Sequence, residues 1–312
     1  MNVDNPQVAY IGLGNIGIEL SRHIHNNLIK TGGKPLLVHN RTRARAEQLQ
    51  ARVPDIKIAD TVAQVAQEAD IVFTCLLNDA AVQQVVEGLL VNGLRPGSII
   101  VEQSTIAPQL ADALSKKAQA MQVQYVSAPI MGPPPWAAAA NVIPLVSGPQ
   151  NAREKAIPYL IPAVGSRNIQ LGEDVTDAPK LKLNGNFFVT AVVETLSEGL
   201  TLGEATGVGQ ENVKKLLDML FPNTLVAVYA DRIVNKIYEN QVLFSLTGAR
   251  KDASHILDMA NAHNAKLPTT ENFLKHLDQT KSKHGDIDIS GVVLALQEAA
   301  GVQPGGKTAK TD

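Results

Sequence analysis

Short, continuously apolar runs alternate with amphipathic stretches over the first half of the chain. The runs at 8–13, 36–40, 71–76, 98–102, 124–128 and 143–147 predict strands, and several are apolar throughout, as strands covered on both faces are. Between them, the stretches 17–29, 43–51, 80–90 and 108–122 read as helices, and this alternation is that of a parallel sheet with crossover helices. Beyond Gly172 the strand pattern stops, and helices continue between breakers at Gly207, Pro222, Gly248 and Pro268. The stretch 178–205 has no proline after Pro179 and predicts one long helix. Pro179 suits its first turn, where a missing N–H costs no hydrogen bond. The expected architecture is an α/β domain at 1–172 with a doubly wound, mostly parallel sheet. An all-α domain at 173–300 follows, joined by the long interdomain helix, and a Gly-, Lys- and Thr-rich tail at 301–312 is expected to be flexible.

The 312 residues are 45% hydrophobic, enough for two cores. Lysine plus arginine (28) nearly balances aspartate plus glutamate (30), for a net charge of −2, and no basic run is interleaved with aromatics. Nucleic acid is therefore not an expected partner. The single cysteine, Cys75, cannot form an internal disulfide framework or a multi-thiolate metal site, which fits a reducing compartment. Residues 1–7 lack a basic segment leading into an apolar one, and no apolar stretch approaches roughly 20 residues, so a cytoplasmic protein without a membrane span is expected.

Gly12, Gly14 and Gly17, with Leu13, Asn15 and Ile16 between them, form G-x-G-x-x-G after one predicted strand and before one predicted helix. In that context the first glycine permits a tight turn, the second lets backbone approach a pyrophosphate, and the third lets the helix pack on its strand. The helix N-terminus then presents N–H groups to the phosphate charge. The pattern predicts a dinucleotide-binding turn, with an ordinary Gly-rich strand-to-helix turn as the alternative. The second strand ends at His39, Asn40, Arg41 and Thr42, with no acidic residue for ribose hydroxyls. Arg41, with Arg43 and Arg45 nearby, suits an adenosine 2′-phosphate, so NADP(H) is the expected cofactor. The alternative is that these arginines lie on a solvated helix start. Ser104 and Thr105 end a predicted parallel strand at the edge where such sheets bind ligands. Leu76, Leu77 and Asn78 end another.

With these residues in view, the chain resembles the β-hydroxyacid dehydrogenase family. That family includes 3-hydroxyisobutyrate dehydrogenase, glyoxylate or succinic semialdehyde reductases, and 6-phosphogluconate dehydrogenase-like proteins. The likeness runs through 9–17, Asn40-Arg41-Thr42, 70–77, Glu102-Gln103-Ser104-Thr105, 180–184 and Lys251-Asp252, in order along most of the chain. It implies a Rossmann domain, a helical domain and a site in the cleft between them. There hydride would pass between NADP(H) and the carbonyl or alcohol carbon of a small molecule. Lys180 would be the general acid in reduction and the general base in oxidation, with Asn184 hydrogen-bonding the substrate and Lys251 near substrate and cofactor. By spacing alone, Lys182 and Asn186 repeat the four-residue interval of Lys180 and Asn184, and residues four apart share a helix face. The resemblance selects Lys180. A lysine in this role needs a pKa nearer neutrality, and Lys182 or Lys251 is the candidate neighbouring cation.

Where members of the family read Asp-Ala-Pro-Val-Ser-Gly-Gly, a segment that holds a substrate carboxylate, this chain reads Ser127-Ala128-Pro129-Ile130-Met131-Gly132-Pro133. Met131 and Gly132 would still border the substrate, but Pro133 offers no backbone donor. Pro133, Pro134, Pro135 and Trp136 predict a stiff apolar loop and a substrate larger or less acidic than a small hydroxy acid. Trp136 as a mere anchor of that loop fits equally. Imine reduction on the same fold is one alternative, disfavoured by Lys180, and a non-catalytic NADP-binding sensor or interaction protein is another. The long helix would expose apolar surface in a lone subunit, which favours a homodimer. Cys75 reads as a small core residue, and Glu194 with Glu198 as a solvated face. His23 and His25 do not face one another, and His255, four after Lys251, reads as surface.

Overall fold

The computed structural model describes residues 5–302, so the tail expected at 301–312 lies, from 303 onward, outside the described residues. The chain forms two compact units divided between Lys182 and Leu183. In the first, β1 (Val8–Ile11), α1 (Gly17–Lys30), β2 (Leu37–His39), α2 (Arg43–Arg52), β3 (Lys57–Ile58), α3 (Val62–Glu68) and β4 (Ile71–Thr74) are followed by α4 (Asp79–Val91), β5 (Ile99–Glu102), α5 (Pro108–Ala120) and β6 (Gln124–Ser127). These strands build a six-stranded sheet in the order β3-β2-β1-β4-β5-β6. Every pairing in it is parallel.

The apolar runs have the cause expected of them: side chains alternate between two cores, one on each face of the sheet. Val8 and Tyr10 of β1 enter one core with Ile71 and Phe73 of β4. Ala9 and Ile11 enter the other with Val72 and Ile100. The connections bring β1, β4 and β5 side by side, so their C-terminal ends share one edge.

Two parts of the sheet reading are corrected. β3 is only two residues long, too short to show a period, and it adds an edge strand that the apolar runs did not predict. The run at 143–147 meets the main sheet only at its end, where Ser147 forms an antiparallel bridge with Ser127 of β6. It forms β8 (Ile143–Val146), between antiparallel β7 (Ile130–Met131) and parallel β9 (Ile169–Gln170), in a separate three-stranded sheet. The triple-proline segment, expected as a stiff loop, instead enters a short helix. Pro133 caps α6 (Pro134–Ala138), and prolines at the first helical positions have no intrahelical donor to lose. α7 (Gln150–Leu160) completes the layer, and α8 (Asp177–Ala205) begins as expected, with Pro179 in its first turn and the Ala178 amide donating to Ser147 Oγ at 3.1 Å.

The second unit contains the rest of α8, then α9 (Gln210–Leu220), α10 (Leu225–Val234), α11 (Leu246–Ala262), α12 (Pro268–His284) and α13 (Val293–Ala299). Its core joins Val193, Leu196 and Leu200 of α8 to Ile233, Leu246, Phe273 and Leu277. Gly248 is not a breaker: it lies in the first turn of α11, where its amide donates to the capping Ser245 hydroxyl at 3.1 Å. The solvated-face reading of Glu194 is also corrected. It is 1% exposed, and His276 of α12 reaches it at 2.6 Å, whereas Glu198 is exposed. Burial raises the Glu194 carboxyl above its ordinary value, and the His276 contact opposes that rise. Asp288 is fully buried and accepts from the Leu243 and Phe244 amides and Arg232 Nε at 2.8, 3.0 and 3.2 Å, which satisfies a charge that would otherwise be costly to bury. Among the described residues no helix is long and apolar enough to cross a membrane.

Candidate functional site

The glycine-rich turn is shaped by backbone crowding. Gly12 has φ +100°, and a Cβ there would lie 2.2 Å from the Cys75 carbonyl oxygen. A Cβ on Gly17 would lie 2.0 Å from the Gly12 oxygen. Both positions therefore exclude any side chain. Gly14 and Asn15 are exposed, and nothing stands within 4 Å of where a Gly14 Cβ would be. No side chain caps α1 after Ile16, so its first turn offers backbone donors to an anion. Asn40 links the two strand ends: Oδ1 accepts from the Leu13 amide at 2.9 Å, and Nδ2 donates to the Thr42 carbonyl at 2.9 Å. These residues fit a dinucleotide, with open backbone where a pyrophosphate would lie and a fixed turn beside it.

The three arginines differ. Arg43 is engaged by Glu47 at 2.9 Å and by Asp60, and Arg45 donates to the Leu13 carbonyl at 3.3 Å. Arg41 is exposed at a pocket of about 60 Å³ whose lining includes Asn40, Arg43, Ala46 and Asp60.

At the C-terminal ends of β4 and β5, a buried polar network replaces the apolar core. The Glu102 carboxyl accepts from Thr74 Oγ1 at 2.5 Å and from the Ser104 amide at 2.5 Å. Ser104 Oγ accepts from the Leu76 amide at 2.7 Å, and Tyr10 donates to Gln103 at 2.8 Å. Burial pushes the Glu102 carboxyl up to about 7, against the opposing hydrogen bonds from Ser104 and Thr74. Ser104 is buried, Thr105 half-buried and Leu77 exposed, while Asn78 caps α4 through the Ala81 amide at 2.9 Å. Burial also pushes the Cys75 thiol up to about 12, which makes it a poor nucleophile.

α8 separates the two lysine pairs. Lys180 and Asn184, selected by resemblance, lie on more open positions: Asn184 is exposed, and Lys180 Nζ sits 3.1 Å from Asp177 and 3.6 Å from Asp174. Its pKa is raised: burial would lower it, but these carboxylates outweigh that, and an acid–base lysine needs the opposite direction. Lys182 is 8% exposed, and its Nζ reaches Met131 Sδ at 3.4 Å. Its charge is also felt at Cys75, just beyond β4. Gly132 has φ +137°, and a Cβ there would lie 3.2 Å from the ring of Trp136, which is 41% exposed. In the second unit, Asn186 is buried and donates to Asp252 at 2.6 Å, and Lys251 pairs with Asp252 at 2.7 Å.

Comparison with known proteins follows this geometry. The sequence profile of the NAD binding domain of 6-phosphogluconate dehydrogenase matches residues 7–172. The chain belongs to that family and is a nicotinamide-dinucleotide-binding oxidoreductase. It is 29% identical over 280 residues to the NADH-dependent oxidoreductase ucdB of Aspergillus ustus, covering 88% of this chain and 95% of that one. Its fold is that of Mycobacterium tuberculosis 3-hydroxyisobutyrate dehydrogenase solved with L-serine, with TM-score 0.80 and 22% identity over 94% of this chain and 99% of that one. An imine reductase from Pseudomonas sp. is similar at TM-score 0.60 and 23% identity, over 94% and 100% of the two chains.

Sequence reasoning did not single out the buried Glu102. The sequence does distinguish the two lysines: Lys180 has Asp177 one helical turn before it, whereas the positions three and four from Lys182 are Ala178, Pro179, Gly185 and Asn186.

The raised Glu102 pKa carries a stability consequence. Between the ordinary carboxylate value near 4.5 and about 7, the folded chain holds a proton that the unfolded chain has released. The stabilisation is present below that window and is lost as pH rises through it, amounting to at most about 3 kcal/mol. Urea unfolding at about pH 5 and about pH 8 should show this fall in the wild type and a flatter profile for Glu102→Gln. Parallel profiles would refute it.

Proposed function

We propose that the chain is an NADP(H)-dependent reductase or dehydrogenase that interconverts a carbonyl and an alcohol on a small molecule. The proposed general acid and base is Lys182 in place of Lys180. The observation that carries this is the burial of Lys182 against Met131, set against the carboxylate-paired, more open placement of Lys180.

When bound, the nicotinamide supplies or takes up hydride. Gly12, Leu13, Gly14, Asn15, Ile16 and Gly17 would hold the pyrophosphate by backbone, Asn40, Arg41 and Thr42, with Leu76 and Leu77, the adenosine side, and Thr105 the nicotinamide ribose. In reduction, Lys182 Nζ delivers a proton to the carbonyl oxygen, and in oxidation it removes one from the hydroxyl. Asn186 lies one turn further along the same face of α8, and its bond to Asp252 fixes its amide for hydrogen bonding to substrate. Lys251 pairs with the same Asp252 that holds Asn186. Met131, Gly132, Pro133 and Trp136 favour a substrate larger or less acidic than a small hydroxy acid, because thioether and indole offer little to a carboxylate and Pro133 has no N–H.

The second unit leaves Leu216, Met219 and Leu220 of α9 exposed, with Leu225 and Val228 of α10. We infer a homodimer that covers such a surface.

NADPH oxidation across aldehydes, ketones, keto acids and cyclic imines tests the reading. Lys182→Met should lower kcat by roughly 10²–10⁴-fold, while Lys180→Met stays within about threefold of wild type. The reverse order would restore Lys180, and turnover of imines alone would replace the carbonyl reading. Arg41→Ala should raise KM for NADPH by about tenfold and leave NADH unchanged, and equal loss on both cofactors would remove the 2′-phosphate role. Light scattering on the eluting protein at micromolar concentration should give twice the 33.3 kDa chain mass. A monomer would refute the dimer.

A further inference from the structure

Glu102 ends β5 and is 1% exposed. Its oxygens receive the Thr74 hydroxyl from the end of β4 and the Ser104 amide from the loop after β5, and the Ser104 hydroxyl also bonds the carboxyl. The same Ser104 oxygen accepts from the Leu76 amide. Leu76 follows Cys75, whose amide donates to the Ile11 carbonyl at 3.0 Å and whose carbonyl fills the space that a Gly12 side chain would need. One carboxyl thus ties the loops after β4 and β5 together, and the first of these lies directly on the glycine-rich turn.

We propose that Glu102 is a positioning residue for the cofactor. Through Ser104 it holds the 75–78 loop against the Gly12 turn, and so fixes the backbone edge that receives the dinucleotide. The inference rests on the reading that this turn binds a nicotinamide dinucleotide.

The chemistry favours the ionised form for this task. A carboxylate can accept from Thr74, from the Ser104 amide and from the Ser104 hydroxyl at once, and it leaves the Ser104 lone pairs to Leu76. A protonated carboxyl keeps one oxygen to accept from the Ser104 amide but donates from the other, so the Thr74 or Ser104 hydroxyl must reverse its role and the bonds around Ser104 rearrange. The groups around Glu102 bear on the same balance: Tyr10 of β1, Cys75 beyond β4, Asp79 of α4 and Tyr125 of β6 interact with it, and Lys182 of α8 acts on Cys75. Burial and Asp79 both favour the neutral form, so its proton comes off near neutral pH.

The test is binding of NADPH and of NADH to the full-length wild type, Glu102→Gln and Ser104→Ala, followed by fluorescence at about pH 6 and about pH 8.5, with urea unfolding of each protein alongside. Using NADH separates the effect from titration of the 2′-phosphate. The expected result is wild-type affinity for both cofactors that weakens roughly fivefold or more at the lower pH. Glu102→Gln should be weak at both pH values while unfolding no more easily than wild type at pH 8.5, and Ser104→Ala should be weak at the higher pH. Wild-type-like binding by Glu102→Gln at both pH values, or loss of binding that only tracks loss of stability, overturns the proposal. Failure of the wild type to bind either dinucleotide overturns the underlying cofactor reading, and the inference with it.

Discussion

At the cofactor edge, three strands of one parallel sheet end so close together that backbone touches backbone. The Cys75 carbonyl occupies the space where Gly12 would carry a side chain, and the Gly12 carbonyl does the same to Gly17. A parallel arrangement makes this possible, since β1, β4 and β5 all run toward the same edge. Crowding of this kind leaves amides and carbonyls without room for ordinary partners, and short side chains supply them. Asn40 takes the Leu13 amide, Ser104 takes the Leu76 amide, and Glu102 takes the Ser104 amide. The polar composition of these loops follows from the steric constraint as much as from any ligand.

The fold was readable where an element was long enough to express a period or where a residue's conformational need was local. The strands 8–11, 71–74 and 99–102 are buried on both sides and are apolar throughout or nearly so, and the glycines of the turn sit where a strand hands over to a helix. β3 and β7 are two residues each and express no period at all. Strand β8 has the composition of a sheet strand, but composition does not say which sheet it joins. Gly248 looked like a breaker because glycine is a poor helix interior residue, yet in a first turn that cost is small and Ser245 uses its amide. The two lysines of α8 differ in a way that spacing does not show. Lys180 and Lys182 share a spacing and a chemistry, and what separates them is the company of Asp174 and Asp177, a matter of electrostatics that periodicity does not encode.

Buried ionisable groups recur in both units, and they are satisfied to different degrees. Asp288 receives amides, a hydroxyl and a guanidinium, so its charge is well supported. Glu194 has His276 on one oxygen, while the other makes no hydrogen bond among the described residues. Glu102 lies between these cases, fully bonded yet held near neutral pH by burial. A scaffold built for stability alone would favour the first arrangement everywhere, because partly satisfied buried charges are costly. Glu102 beside the glycine-rich turn keeps all its partners and is still held near neutral pH, so its site is set by something other than the stability of the fold.

The unit boundary at Lys182 carries a consequence for how the chain can be divided. It falls inside α8, six residues after the helix begins, and not in a loop. A fragment ending there would keep little more than one helical turn, too short to hold its shape without the residues that follow. The matched family segment stops earlier, at 172, before the helix begins. A truncation made at that point would remove Lys182 altogether, so a domain excised by homology would keep the dinucleotide turn and lose the proposed acid. Surgery on this protein must respect the helix as an indivisible piece of chain.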